Sequence, residues 1–312
     1  PSRPHAQLGA GTSAMEGGYK RSGEVLAELR ASKQDVQAPL AKLPACTGSL
    51  AASSVQRMHS REWRPFRILS KRQLSSNMWL FRFALPSDAS LGSDEVERHL
   101  RVRVPTGQQA SNASGACMVE RQFTPVSPLS RVGSFDIAVK IYKEGALTQV
   151  LDKMIPGDSV EMCGPHGELT ICWSELKVTR PQSMLHFNRL VMLAAGSGIT
   201  PMLQILQDWL SKVQAGSMRH VKIDLLYANR CEEDIAFREE LVDLSARAGG
   251  SLQVLLALSR RRRPDSSEIS CAAAAGRPGA EMLERWLGRE PGGQDAVALV
   301  CGPQSFNVDM AE

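Results

Sequence analysis

The spacing of apolar residues changes character twice along this chain. Up to about residue 60 it has no period: Ser, Ala, Gly and Pro dominate, aromatic residues are scarce, and no core can be built. Residues 1–62 read as a linker or disordered extension, with at most a turn or two of helix between Glu24 and Arg30. From Trp63 the pattern shortens into strand-like runs. Phe66–Leu69, Met78–Phe83, His99–Val104, Met118–Phe123, Phe135–Ile141, Ser159–Cys163 and Leu169–Trp173 are the expected strands. In Phe135–Ile141 the alternation turns the odd-numbered residues inward and leaves Asp136 and Lys140 facing out. Leu147, Val150, Leu151 and Met154, at i, i+3, i+4 and i+7, predict one amphipathic helix over about Ala146–Met154. Many short strands around one helix imply an antiparallel β-barrel over residues 63–180.

At Leu190 the rhythm changes again. Leu190–Ala195 is almost wholly apolar, as a strand covered on both faces must be. Gly196-Ser197-Gly198-Ile199-Thr200-Pro201 follows, with Thr200 the expected helix cap and Pro201 the expected first helical residue. Met202, Leu203, Ile205, Leu206, Trp209 and Leu210 then share one helical face, with Gln204, Gln207 and Asp208 opposite. Strands at Val221–Tyr227, Leu252–Leu258 and Ala296–Val300 alternate with helices at Ile235–Leu244 and Glu281–Leu287. That alternation predicts an α/β domain with a parallel, Rossmann-like sheet over residues 186–312, binding ligands at the carboxyl ends of its strands.

Composition narrows the function. The 312 residues leave room for two cores and a tail. A net charge of +4, scattered along the chain, argues against nucleic-acid binding. No apolar run approaches the ~18 residues of a membrane span. Seven cysteines without a Cys-x-x-Cys pair, and six histidines far apart, offer neither zinc spacing nor a haem site. No metal is expected, and a reducing, intracellular compartment fits, where Asn112-Ala113-Ser114 is an idle glycosylation match. The chain opens on Pro1 without a leader, as a fragment of a longer protein would.

Two stretches carry candidate chemistry. The glycines at Gly196 and Gly198 let backbone approach a ligand, and the helix start behind them presents free N–H groups to a phosphate. This turn lacks the third glycine of the dinucleotide fingerprint and the Gly-Lys-Ser/Thr ending of an NTP-binding loop. Upstream, Arg121 in Arg121-Gln122-Phe123-Thr124-Pro125-Val126-Ser127 offers a planar fork. The helix start Gly145-Ala146-Leu147-Thr148 offers an anion site, and the two together would clamp a pyrophosphate. Lys140 and Tyr142 add a charge and a ring. Two cradles, one per domain, point to a flavin and a nicotinamide dinucleotide. Asp234 is either an acid for an adenosine ribose, which would disfavour a 2′-phosphate, or a helix-start acid answering the dipole. Arg260-Arg261-Arg262-Arg263 is a solvated loop, a 2′-phosphate site or a docking patch for an acidic partner. Cys301 is either a polarisable wall beside a nicotinamide or a buried structural cysteine.

These residues carry a resemblance. Arg121-x-Phe123-Thr124-Pro125-x-Ser127, Lys140-x-Tyr142, Gly145-x-x-Thr148, Gly196–Pro201 and Cys301-Gly302-Pro303 stand in the order found in NADH–cytochrome b5 reductases. These belong to the ferredoxin–NADP reductase superfamily, and the match runs from about Trp63 to the end. Lys140–Gly167 looks most like the reductase domain of the soluble oxidoreductase that fuses b5, CS and reductase domains; a stand-alone relative is equally compatible. The resemblance implies FAD in the barrel and NADH on the sheet, with NADPH the less favoured donor. It implies that Arg121 and Thr148 grip the FAD phosphates, and that Phe123, Thr124 and Pro125 line the flavin with Thr124 near its reactive nitrogen. His99 takes the place of a family histidine near the flavin edge; Gly196, Ser197 and Thr200 receive NADH, and Cys301 sits close to the nicotinamide. Ser127, Lys140, Tyr142, Gly145, Ala146, Leu147, Gly198, Pro201, Asp234, Gly302 and Pro303 complete the cofactor-binding set. Phe123 replaces a family tyrosine, Glu97-Arg98 replaces Gly-Gln before the barrel histidine, and the family's last helix and strand are not expected before Glu312. The implied activity passes electrons from NADH through FAD to cytochrome b5 or another haem or one-electron acceptor. The implied setting is a monomer, cytoplasmic or on the cytosolic face of the endoplasmic reticulum. The alternatives are a non-catalytic remnant acting as an interaction module, and a flavin-free nicotinamide dehydrogenase.

Overall fold

The computed structural model describes residues 24–28, 56–57, 60–92, 98–109, 116–215, 221–260, 272–288 and 295–311. Six antiparallel strands form the first sheet, in the order Ala116–Phe123, His99–Gln109, Ser159–His166, Ser60–Ser75, Met78–Ala84 and Ser134–Lys140. A bridge from Pro125 to Ile137 joins the first strand to the last, so the sheet closes into the expected barrel. Phe81, Phe83, Phe135 and Ile137 fill it. Phe135 stacks on Phe83 and meets Phe66 edge-on, each at 5.4 Å; such pairs contribute ~0.5–1.5 kcal/mol beyond their burial. The helix Ala146–Lys153 packs against the His99 and Ala116 strands and buries Leu147 and Leu151. Lys71 reaches the carbonyls of Asp152 and Met154, answering the negative end of that helix.

Asp136 corrects the expected solvent face. It is 2% exposed, accepting from Arg82 Nε at 2.8 Å and Arg131 Nη1 at 2.9 Å. Burial pushes its pKa up, but hydrogen bonds from the two guanidiniums outweigh burial and hold the carboxyl below its ordinary value. Alternation sets which face a residue takes, and here that outer face is covered by arginines.

The second sheet is parallel, in the order Ala272–Ala275, Leu252–Leu258, Lys222–Asn229, Arg189–Ala195 and Ala296–Cys301. Glu24–Glu28, expected as a helical turn or linker, adds a strand at the far edge, paired in parallel with Ala296–Val300. An open sheet edge offers unpaired N–H and C=O groups that recruit chain by backbone, which side-chain periodicity does not register. Leu190, Met192 and Ala194 face Ile199, Met202, Leu203 and Leu206, whereas Val191, Leu193 and Ala195 face Met282, Leu283, Trp286 and Phe306. Both faces are covered, and the apolar run follows from that. The expected helix from Ile235 begins at Arg238 instead, because Phe237 takes a left-handed conformation with φ 58° after a 3₁₀ turn at Glu232–Asp234. Short strands at Lys177–Arg180, Ser183–His186 and Ala272–Ala275, and the helix Gln304–Asp309, had no clear periodic signal.

Candidate functional site

From the Arg189 strand the chain moves to Lys222 on one side of the sheet and later returns to Ala296 on the other. That reversal is a topological switch point, where open α/β sheets hold ligands. Both glycine turns lie there. Gly196–Gly198 forms a 3₁₀ turn, Gly196 in the left-handed region at φ 54°, and the helix Ile199–Gln214 follows directly. Gly198 itself precedes the helix with no side-chain cap, so Thr200 is not the cap. Its hydroxyl instead donates to the Ser197 carbonyl at 3.2 Å. Pro201 falls in the first turn, where a missing N–H costs nothing. A Cβ on Gly198 would lie 1.8 Å from the Cys301 carbonyl oxygen, and one on Gly302 would lie 2.9 Å from Ala195 Cβ. The two turns are therefore interlocked, and Cys301 is buried between them at 2% exposure.

In front of the turns lies a cavity of about 350 Å³, and it is shared between domains: Lys140 from the barrel lines it together with Gly196, Asn229, Asp234 and Pro303. Arg230 and Arg277 also line it, so three cations face two carboxylates, Asp234 and Asp309. Asn229 Nδ2 is buried without a hydrogen-bond partner, a donor left for a ligand acceptor. Cationic lining, an unspent donor and backbone free to approach fit an anionic nucleotide. Asp234 also accepts from Ser76 Oγ at 3.0 Å and Asn77 Nδ2 at 3.4 Å, which ties a barrel hairpin to the sheet domain.

The barrel side groups differently. Arg121 is exposed, with Nη1 donating to the Glu120 carbonyl at 2.7 Å, and it does not line the cavity. Its strand packs against the helix that starts at Gly145. There the buried Thr148 hydroxyl donates to the Gly145 carbonyl at 3.1 Å, and a Cβ on Gly145 would meet that hydroxyl oxygen at 2.3 Å. A glycine turn at a helix start beside an arginine strand fits a pyrophosphate. Ala146 is exposed and Leu147 buried in the core. Phe123 is 2% exposed within the core, Pro125 is buried, and Thr124 between them is half-buried. Ser127 is wholly buried and accepts from the Asp136 N–H at 3.0 Å, which places it in the barrel wall. The Lys140 ammonium lies 5.9 Å from the Tyr142 ring centre.

His99 is half-buried, its ring 5.9 Å from that of His166. Desolvation first, then the positive fields of His166, Arg101 and Arg98, pushes its pKa down to about 4. The unfolded chain thus takes up a proton here near 6.5 that the folded chain refuses until about 4, so this group subtracts stability as pH falls through that window. His99→Gln is expected to lessen the fall in melting temperature from pH 6.5 to 4, read by thermal unfolding across that range.

The polar helix face carrying Gln204, Gln207 and Asp208, opposite the apolar stripe, meets the barrel. Gln204 contacts Arg98 and Pro125, Gln207 Nε2 donates to the Val126 carbonyl at 3.1 Å, and Asp208 accepts from Trp173 Nε1 at 2.6 Å. Asn229, Arg230 and Arg277 are further additions; they come from strand ends and loops without a periodic signal. Glu97, Arg261–Arg263 and Asn112–Ser114 lie outside the described residues. Among the described residues, no three His, Cys, Asp or Glu side chains gather as a metal site, and no helix is long and apolar enough to cross a membrane.

Comparison with known proteins agrees with this two-part geometry. Residues 65–171 match the oxidoreductase FAD-binding domain family and residues 192–312 the oxidoreductase NAD-binding domain family. The chain is 31% identical over 250 residues to NADH-cytochrome b5 reductase 1 of Cryptococcus neoformans, covering 78% of this chain and 74% of that one. It is 30% identical over 302 residues to nitrate reductase [NADH] 1 of Zea mays, covering 94% of this chain but only 43% of that longer protein. The solved cytochrome b5 reductase domain of Ulva prolifera nitrate reductase superposes with a TM-score of 0.66 at 27% identity, covering 80% of this chain and 90% of that one.

Proposed function

We propose that this chain, which belongs to the NADH–cytochrome b5 reductase family, accepts a hydride from NADH on FAD and passes the electrons singly to cytochrome b5 or a similar acceptor. The balance is one NADH and two oxidised acceptors giving NAD⁺, one proton and two reduced acceptors. The bound cofactors supply the redox chemistry; the protein supplies position, field and exclusion of water. The cavity shared by Lys140 of the barrel and Gly196, Asp234 and Pro303 of the sheet domain is the observation that carries this reading.

On it, the FAD-binding domain spans residues 63–180 and the NAD-binding domain residues 186–312. Arg121 and the Gly145–Thr148 helix start hold the FAD phosphates, with Lys140 and Tyr142 alongside. Thr124, Pro125 and His99 serve the flavin, and the core residue Phe123 anchors the strand end next to Thr124. The Gly196–Pro201 turn receives the nicotinamide dinucleotide, and Cys301-Gly302-Pro303 forms the nicotinamide wall. Asp234 favours NADH over NADPH by facing the adenosine ribose. His99 stays neutral at pH 7, so it stands by as a hydrogen-bonding group without adding positive charge. The protein is a cytoplasmic monomer or sits on the cytosolic face of the endoplasmic reticulum.

The purified chain is expected to be yellow and to bleach on mixing with NADH under anaerobic conditions, more slowly with NADPH. Arg121→Ala is expected to weaken FAD binding by ~10- to 100-fold, the loss of one charge-assisted phosphate contact. FAD titration of the apoprotein reads it. A colourless, inactive protein that takes up no added FAD would leave a non-catalytic module, and NADH oxidation by a colourless protein, unaffected by Arg121→Ala, would leave a flavin-free dehydrogenase.

A further inference from the structure

We propose that Gln204 is a positioning residue for hydride transfer, fixing the flavin-side strand ends of the barrel to the helix that carries the nicotinamide turn; this rests on the functional reading above. Gln204 is 4% exposed, inside the domain interface. Its Oε1 accepts from the Arg98 N–H at 2.8 Å, while Nε2 donates to the Arg98 carbonyl at 3.3 Å and the Pro125 carbonyl at 3.2 Å. A primary amide presents donor and acceptor together, so one side chain grips Arg98 much as a neighbouring strand would. Arg98 immediately precedes His99, and Pro125 immediately follows Thr124. The two barrel residues assigned to the flavin edge are therefore each next in sequence to a partner of Gln204.

The helix begins at Ile199, directly after the Gly196–Gly198 turn, so Gln204 lies within two turns of the nicotinamide side. Two more side-chain ties from this helix to the barrel, Gln207 to Val126 and Trp173 to Asp208, lie further along it. A solubility role is ruled out by burial, and an apolar side chain of the same size would fill the space. What an apolar side chain would not supply is the register between the two domains. Hydride donor and acceptor must sit within ~3–3.5 Å, and a shift of ~1 Å costs about 100-fold in rate.

The test uses the full chain loaded with FAD, as wild type, Gln204→Leu, Gln204→Asn and Gln207→Leu. In Gln204→Leu the Arg98 amide hydrogen is expected to exchange faster with deuterium. The NADH concentration giving half-maximal reduction should stay within about twofold, while the limiting rate of flavin reduction in stopped flow falls ~10- to 100-fold. Gln204→Asn, whose amide is withdrawn by one methylene, should behave likewise and serves if the leucine variant does not fold. Gln207→Leu should lower the melting temperature similarly but slow reduction less than about threefold. A limiting rate within about threefold of wild type in both Gln204 variants would overturn the inference alone, as would equal slowing by Gln207→Leu. A wild-type chain that binds FAD but is not bleached by NADH would overturn the functional reading and this inference together.

Discussion

Gly198→Ala is expected to slow reduction by NADH about 100-fold while FAD stays bound. The substitution tests close approach and nothing else. Gly198 has φ −59° and ψ −8°, which alanine adopts freely. As the residue capping the helix, alanine falls short of glycine by less than ~1 kcal/mol, a small local cost. Against that stands a Cβ placed 1.8 Å from the Cys301 carbonyl oxygen and 2.3 Å from its carbon. Backbone, unlike a flexible side-chain tip, cannot swing aside, so one turn must move relative to the other. Overpacking of this kind costs ~1–3 kcal/mol, and a turn displaced by ~1 Å loses about 100-fold in rate. Stopped-flow reduction by NADH, with flavin content read from absorbance, separates the two losses. Gly196→Ala tests a different cost, the local strain of ~1–2 kcal/mol that its φ of 54° imposes on any residue with a Cβ. If Gly198→Ala reduced as fast as wild type, the interlock of the two turns would carry no functional weight.

What could be read from the chain beforehand depended on whether a residue's surroundings are written in its neighbours. Leu190–Ala195 was legible because a strand covered twice has no polar choice, and Gly196–Pro201 because turn chemistry is local. Gln204, Gln207 and Asp208 were not. Polar residues opposite an apolar stripe look the same whether they face water or the backbone of another domain, and here they face Arg98, Pro125, Val126 and Trp173. Asp136 failed for a related reason: its cover comes from Arg82, across the strand pair, and from Arg131, in a turn. Glu24–Glu28 failed because pairing at a sheet edge is a backbone event. The barrel half of the candidate site was visible as motif, yet Ser127 and Phe123 lie inside the wall, where sequence spacing alone does not separate a lining side chain from a core one.

Asp224→Ala is expected to cost ~3–5 kcal/mol, a large share of the ~5–15 kcal/mol that holds a protein folded. Asp224 is 1% exposed, and its Oδ2 accepts from Arg189 Nε at 2.7 Å on the adjacent strand. Arg189 Nη2 goes on to the Leu287 carbonyl at 3.1 Å, at the end of the helix Ala280–Leu287. Removing the carboxylate leaves a guanidinium buried beneath that helix without its carboxylate partner. The pair itself need not stabilise the fold, since Asp224 Oδ1 has no hydrogen-bond partner and both ions gave up water to be there. Joint replacement, Arg189→Met with Asp224→Leu, should therefore regain most of what Asp224→Ala loses. Urea unfolding of wild type, both single variants and the double reads the coupling. Arg189 lies at the start of its strand and the glycine turn follows its end, so flavin reduction per folded molecule should not change. A double variant as unstable as the singles would mean that the reach from Arg189 to Leu287, rather than charge balance, holds this helix on the sheet.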